Sequence, residues 1–335
     1  MSQPHSEQTP MTPSTTRPPQ ARRTWLTTLA LLFALLLATP TLASAQDVTM
    51  EGYPATGEPS FVKVTEPGAE PRMALRYNIS DGYTSHMAMT MLMGMTMNID
   101  GMPLPKIEMP AIKMGADMAV TAVSPTKDIT YRIAFTSMDL ESTPGVDPNL
   151  IAALKPLGED IKAIQGTATV SERGINKEVN FDLSKLTNPQ LKQMMSSLSS
   201  SMENLSMPLP EEPVGVGARW EVRQSVAVNG MQTFQRVELE MTAFDGKTAT
   251  LTAKITQTAP AQAIKSPDMP PGAEAYLKSL SGSGSGTMTL HFDELIPSSS
   301  VNMQTATAME VKFGGQSQNM NIDMSMKIEI DSVKK

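Results

Sequence analysis

His86-Met87-Ala88-Met89-Thr90-Met91-Leu92-Met93-Gly94-Met95-Thr96-Met97 is the stretch on which the fold turns, with methionine at every odd position from 87 to 97. A β-strand sends alternate side chains to opposite faces. All six thioethers therefore share one face, and Ala88, Thr90, Leu92, Gly94 and Thr96 share the other. A one-sided methionine surface can serve as a core seam, as the wall of an apolar cavity, or as a soft-metal site.

The end of the chain repeats the pattern. Met320, Ile322, Met324, Met326, Ile328 and Ile330 fall on one face, with Asn321, Asp323, Ser325, Lys327 and Glu329 opposite. Isoleucine replaces methionine here, as a hydrophobic role allows and a ligand role does not. Burying a methionine is worth about 1.5–3 kcal/mol, so six would pin the register of the strand. Thioethers are also flexible and polarisable, which suits a cavity that accepts a lipid-like or other apolar molecule. Met87, Met89, Met91, Met93, Met95, Met97, Met324 and Met326 are the expected lining of such an interior. The metal alternative places Cu(I) on Met87, Met89, Met91 and Met93. Same-face neighbours lie about 6.8 Å apart, so two thioethers can converge on one ion but six need a facing strand. His86 has the opposite parity and points away from them.

Outward from this strand, Asp81-Gly82 and Asp100-Gly101 are turn pairs on either side. Ala74 to Ile79 alternates weakly, and residues 103–113 hold three prolines, which predicts a loop or bulged edge. Met114 to Val123 and Ile129 to Phe135 read as strands around a turn at 124–128. Asp147-Pro148 opens a helix with Leu150, Leu154, Leu157, Ile161 and Ile164 on one face, and Pro156 with Gly158 predicts a kink or two short helices. Strands Gly166 to Glu172 and Asn176 to Asp182 follow. A second helix is expected from Asn188-Pro189, with a stripe of Leu191, Met194, Met195, Leu198, Met202 and Leu205. Beyond the proline-rich joint at 207–213 comes a meander, Trp220 to Val228, Met231 to Phe244 and Thr248 to Thr258, turning at Asn229-Gly230 and Asp245-Gly246. A short helix is expected over Ala273 to Leu280. Ser281 to Gly286 reads as a flexible turn, since it lacks a P-loop lysine and dinucleotide glycine spacing. Strands Thr287 to Phe292, Val301 to Phe313 and Gln318 to Val333 finish the chain.

Gly166-Thr167-Ala168-Thr169-Val170 is echoed by Gly286-Thr287-Met288-Thr289-Leu290, each after strands and a helix, so residues 73–206 and 207–335 are expected to form similar halves. The fold class is mainly β (α+β): an antiparallel open barrel or clam of two similar halves, with a few covering helices. Residues 46–72, rich in proline and glycine, read as a loosely ordered lead-in with one short strand at Phe61 to Val64.

Residues 1–45 look like an export leader. Arg22-Arg23 precede the apolar run Leu26 to Leu37, and Ala43-Ser44-Ala45 is a small-x-small cleavage signature. Exported, periplasmic or extracellular placement follows, without a transmembrane segment in the processed chain. The 335-residue sequence has a net charge of −7, and removal of three arginines and one glutamate with the leader makes it −9, which argues against nucleic acid or anionic lipid as partners. The absence of cysteine removes disulfides, thiol catalysis and thiolate metal sites. Only His86 and His291 remain after the leader, and no acidic motif stands out. No catalytic residue and no cofactor is expected, and the chain reads as a non-enzyme.

Leu75-Arg76-Tyr77 with Asp81-Gly82-Tyr83, the Gly166 to Phe181 hairpin, and Pro213-Val214-Gly215-Val216-Gly217-Ala218-Arg219-Trp220 together resemble a family of exported bacterial β-rich proteins of unknown function. Members carry a Pro-x-x-x-Gly-x-x-Trp element at mid-chain, here Pro213 to Trp220. Ala218 stands where they usually carry an acidic residue. The resemblance implies the compartment and a β-rich architecture over residues 73–331, and no activity.

Overall fold

The computed structural model describes residues 49–186, 192, 207–228, 230–264 and 272–334. The leader, the helix expected over 188–205 and Asn229 lie outside the described residues, apart from Lys192.

The expected alternations become strands of one antiparallel sheet. In chain order they are β1 (Phe61–Glu66), β2 (Thr84–Ile99), β3 (Met102–Pro103), β4 (Ile107–Glu108), β5 (Ala111–Val123), β6 (Ile129–Glu141), β7 (Gln165–Val170) and β8 (Asn176–Asp182). There follow β9 (Arg219–Val228), β10 (Met231–Phe244), β11 (Thr248–Ala259), β12 (Gln262–Ile264), β13 (Glu274–His291), β14 (Ser298–Phe313) and β15 (Gln316–Lys334). The 15-stranded sheet runs β1-β9-β10-β11-β13-β14-β15-β2-β5-β6-β7-β8, with β12 added to β13 and β3 and β4 added to β2. Each part of the chain is a meander. The last strand of the second, β15, pairs with the first long strand of the first, β2. Among the described residues the sheet is open, with β1 and β8 as its outermost strands.

Turn chemistry punctuates the meanders as expected. Asp100 and Gly101 both take positive φ (49° and 83°), the left-handed pair that a tight hairpin requires. The weakly alternating stretch Ala74 to Ile79 is an extended crossing segment. Met73 bridges to Val214, Tyr77 N–H donates to Glu172 O, Asn78 N–H to Phe292 O, and Val120 N–H to Tyr83 O. This segment reveals the curvature of the sheet. One dry cluster lies on β9, β10, β11 and β13 around Trp220, Val222, Leu239, Leu251 and Leu290, and another on β5 to β8 around Met118, Ile129, Tyr131 and Val179. From β13 to β5 is four strand steps, roughly 19 Å along a flat sheet. Tyr77 packs against both clusters. The two arms therefore curl toward each other over this face, giving a half-open barrel pinned at one end.

The motifs of the resemblance sit at this pin. Leu75, Val214, Ala218 and Trp220 are buried in the first cluster, and Ile79 and Tyr83 in the second. Arg76 donates to the carbonyls of Pro210 (2.8 Å) and Glu211 (2.9 Å) and lies 3.6 Å from the Glu172 carboxylate.

The single helix among the described residues is α1 (Pro148–Ile161). Asp147 caps it by accepting from Asn149 N–H at 2.8 Å, and Pro148 sits in its first turn. Of the kink or two short helices expected, the second does not occur: it is one continuous helix through Pro156. Gly158 gives the reason for its close seat: a Cβ there would lie 2.8 Å from the carbonyl oxygen of Met138 on β6. Just beyond it, Ile161 and Ile164 pack with Phe135 and Met138.

Three further expectations are corrected. Ala273 to Leu280 is no helix: from Glu274 onward it is the start of β13. Ser281 to Gly286 is no flexible turn, because β13 runs straight through it with serine exposed on one side and glycine on the other. The lead-in is tied down, with β1 paired to β9 and residues 52–56 seated on the outer surface of β9 and β10. There Arg223 donates to Gly52 O (3.0 Å), Ser225 to Pro54 O (2.5 Å), and the Tyr53 ring meets Phe234 edge-on at 5.3 Å.

Candidate functional site

The six methionines of β2 share one face, as their spacing requires, and the register shows what lies beside them. Met95 pairs with Met324, Met93 with Met326, Met91 with Ile328 and Met89 with Ile330. One strand further, Met326 pairs with Met303 and Ile328 with Val301 of β14. On the other side, Met89 pairs with Met114 of β5, which pairs with Met138 of β6. The rows Met93–Met326–Met303 and Met89–Met114–Met138 thus each cross three strands. Nothing within residues 87–97 reveals Met303, Met114 or Met138 as neighbours. Their own alternation (Val301 with Met303; Ile112, Met114, Ala116) carries the signal, and only strand order converts it into a surface.

This face is the inner, concave one, since it carries both dry clusters. At one end of β2, Met97 is buried, as are Ile322, Met320 and Met309 near it. Met87, at the other end, packs against the second cluster. Between them Met89, Met91, Met93, Met95, Met324, Met326 and Met303 remain half-buried. The predicted lining is therefore brought onto one face, Met97 in a packed zone, Met87 against the second cluster and the rest along a half-open belt. Gly282, Gly284 and Gly286 of β13 border the belt, and the Met303 methyl lies 3.1 Å from where a Cβ of Gly282 would stand. The β14 side chains lean over the space those glycines leave.

The opposite face is polar. Ser281, Ser283, Ser285, Asn302, Gln304, Asp323 and Ser325 are exposed there. Surface ion pairs join Lys327 to Glu329 (2.7 Å) and Lys113 to Glu141 (2.6 Å), and Lys106 with Glu108 (2.5 Å) lies over Gly94. A depression of about 790 Å³ on this side is lined by Gly94, Glu108, Lys254, Ser283, Gln304 and Lys327 among others. His86 belongs to this face, with Nδ1 2.7 Å from Asp117 Oδ1. His291 is half-buried, its Nδ1 3.1 Å from the Thr248 hydroxyl. Among the described residues no group of three or more His, Asp or Glu side chains could hold a metal ion.

The methionine belt carries no ionisable side chain, so its electrostatics are set at its rim. Burial pushes the Tyr77 and Tyr131 phenols up to about 12, and the Tyr83 phenol is raised by burial as well. All three stay neutral at physiological pH. What the belt offers chemically is adaptable apolar contact and neutral soft sulfur.

No family model matches the chain, and no curated protein matches it. Among solved structures it is similar to Pseudomonas aeruginosa OpdQ at 8% identity, over 76% of this chain and 99% of that one, with a TM-score of 0.20. So low a score carries no argument about this protein.

Proposed function

We propose that this is an exported, non-enzymatic envelope protein that binds a lipid-like or other apolar molecule against the methionine belt. One observation carries the reading: the inner face is dry at both ends, yet between them a continuous apolar belt on β14, β15 and β2 stays half-exposed. Contiguous exposed apolar surface is costly to maintain and marks interaction sites in soluble proteins. Unbranched thioethers adapt to many ligand shapes, which suits a site selecting for apolarity more than for a particular outline.

Native mass spectrometry of protein purified from its own envelope supplies the first test, with co-purifying apolar mass as the expected result. The second uses the fluorescent probe N-phenyl-1-naphthylamine. Met91→Glu puts a charge on the belt and is expected to weaken probe binding at least tenfold. Ser325→Glu, on the outer face, leaves it unchanged. Protein that is empty in every preparation and binds the probe equally well in both variants would sink the proposal.

A further inference from the structure

We infer that Met93, Met95, Met324 and Met326 form a binding site for a soft monovalent metal ion, Cu(I) by its chemistry. The register places Met95 opposite Met324 and Met93 opposite Met326 on one face of adjacent strands. Strand neighbours stand about 4.8 Å apart and same-face residues along a strand about 6.8 Å, so the four side chains leave the corners of a rectangle. Its centre is about 4.2 Å from each corner, given those spacings. A methionine side chain with three rotatable torsions can bring its sulfur to a point above that centre. Met303, beside Met326, can offer a fifth thioether.

This arrangement differs from the four methionines that a single strand suggests. Met89 and Met91 have isoleucine beside them on β15, and Met87 has Ser332 and Ala116 as its strand partners. Four adjacent thioethers occur on β2 and β15 only around residues 93–95. Three properties fit the ion. Thioethers are neutral and soft, so they select Cu(I) and give hard divalent ions little. The four residues are half-buried, so water can complete the shell and the single charge is not stranded in a dry core. His86, the nearest imidazole in sequence, faces the other side and leaves the site sulfur-only. The site stands independently of apolar-ligand binding.

Anaerobic titration of the full mature chain with Cu(I), in competition with bicinchoninate, tests the site, and Ag(I) serves as an oxidation-stable probe. Wild type is expected to take one ion per chain, and X-ray absorption to show a shell of sulfur. Met324→Ile/Met326→Ile uses the residue β15 already carries on this face at 328 and 330, and is expected to lower affinity at least tenfold. Met114→Ile/Met138→Ile, on the same face one and two strands beyond β2, is expected to bind as wild type. Failure of wild type to compete, a shell dominated by nitrogen or oxygen, or an unchanged affinity in the 324/326 variant overturns the inference. Should that variant not fold, the wild-type absorption spectrum decides. N-phenyl-1-naphthylamine binding, measured in parallel, reports separately on the apolar-ligand reading.

Discussion

Gly284→Ala should destabilise the protein measurably while Ser283→Ala, one residue away, should not. In β13 the glycines at 282, 284 and 286 face inward and the intervening serines face solvent. A Cβ on Gly284 would stand 2.7 Å from the Asn302 carbonyl oxygen, 3.4 Å from Met303 Cα and 3.5 Å from Ile255 Cβ. The first contact is with backbone on a paired strand, which can yield only by displacing β14. Overpacking of this kind costs about 1–3 kcal/mol. Alanine also restricts the unfolded chain, returning about 0.4–1 kcal/mol. The net expectation is a loss of about 1–2 kcal/mol, or roughly 2–3 °C in Tm for a domain of this size. Ser283→Ala removes an exposed hydroxyl and should stay within about 0.5 kcal/mol of wild type. Urea denaturation followed by circular dichroism gives both values, with unchanged m-values confirming that the folded states compare like with like. A Gly284→Ala protein as stable as wild type, or a Ser283→Ala protein equally weakened, would refute the inward placement of the glycines and with it the course of β13.

Tyr131 is 7% exposed and its phenol is held at about 12, against 10 in the unfolded chain. Its contribution to stability is therefore complete below pH 10 and lost as pH rises from 10 through 12, by about 3 kcal/mol in the limit. Tyr131→Phe should flatten the alkaline limb of a Tm-against-pH profile, and an unchanged limb would contradict this. Arg76→Leu should cost about 1–3 kcal/mol, because the carbonyls of Pro210 and Glu211 lose their donor at the junction of the two arms. Chemical denaturation measures it, and a neutral result would show water replacing the guanidinium freely. Trp220, 1% exposed in the first cluster, should emit at short wavelength and resist iodide quenching. An apolar ligand on the belt should leave its emission unmoved, since its row crosses β10, β11 and β13 before it reaches Val301.

Most strands were legible because period-two apolarity and Asp-Gly or Asn-Gly turn pairs agree with each other over long stretches. The error at Ala273 to Leu280 has an identifiable cause. Tyr276, Leu277 and Leu280 stand at helical spacing, yet the structure makes this a strand with a register shift between Leu277 and Ser279. That bulge brings Leu277 and Leu280, three residues apart, onto the same buried side. A similar shift between Met241 and Ala243 pairs Phe244, not Ala243, with Ala249. Bulges imitate helical periodicity, and no local propensity exposes them. The candidate site was legible one strand at a time. Its two-dimensional pattern depends on β15 pairing with β2, residues some 230 positions apart, and on the curl that Tyr77 discloses.

The distribution of methionine itself bears on what the belt is for. A chain short of aromatics could use methionine everywhere as its bulky apolar residue, and the belt would then be an extreme of a general habit. The dry clusters contradict this. Among the described residues, of the 13 buried in the first only Met241 is methionine, and of the 11 buried in the second only Met118. Both clusters are built from valine, isoleucine, leucine, alanine and aromatic residues, whose stiff rotamers define a unique packing. Methionine accumulates instead on β2, β14, β15 and the adjoining parts of β5 and β6, buried at Met97, Met309 and Met320 at one end and half-buried along the belt itself. A rigid branched side chain gains most where its neighbours are fixed, and a flexible one where they change. The chain thus places shape-locked residues where the fold must be unique and adaptable ones where the surface stays available. That segregation favours a surface meeting something variable over a seam that closes on itself.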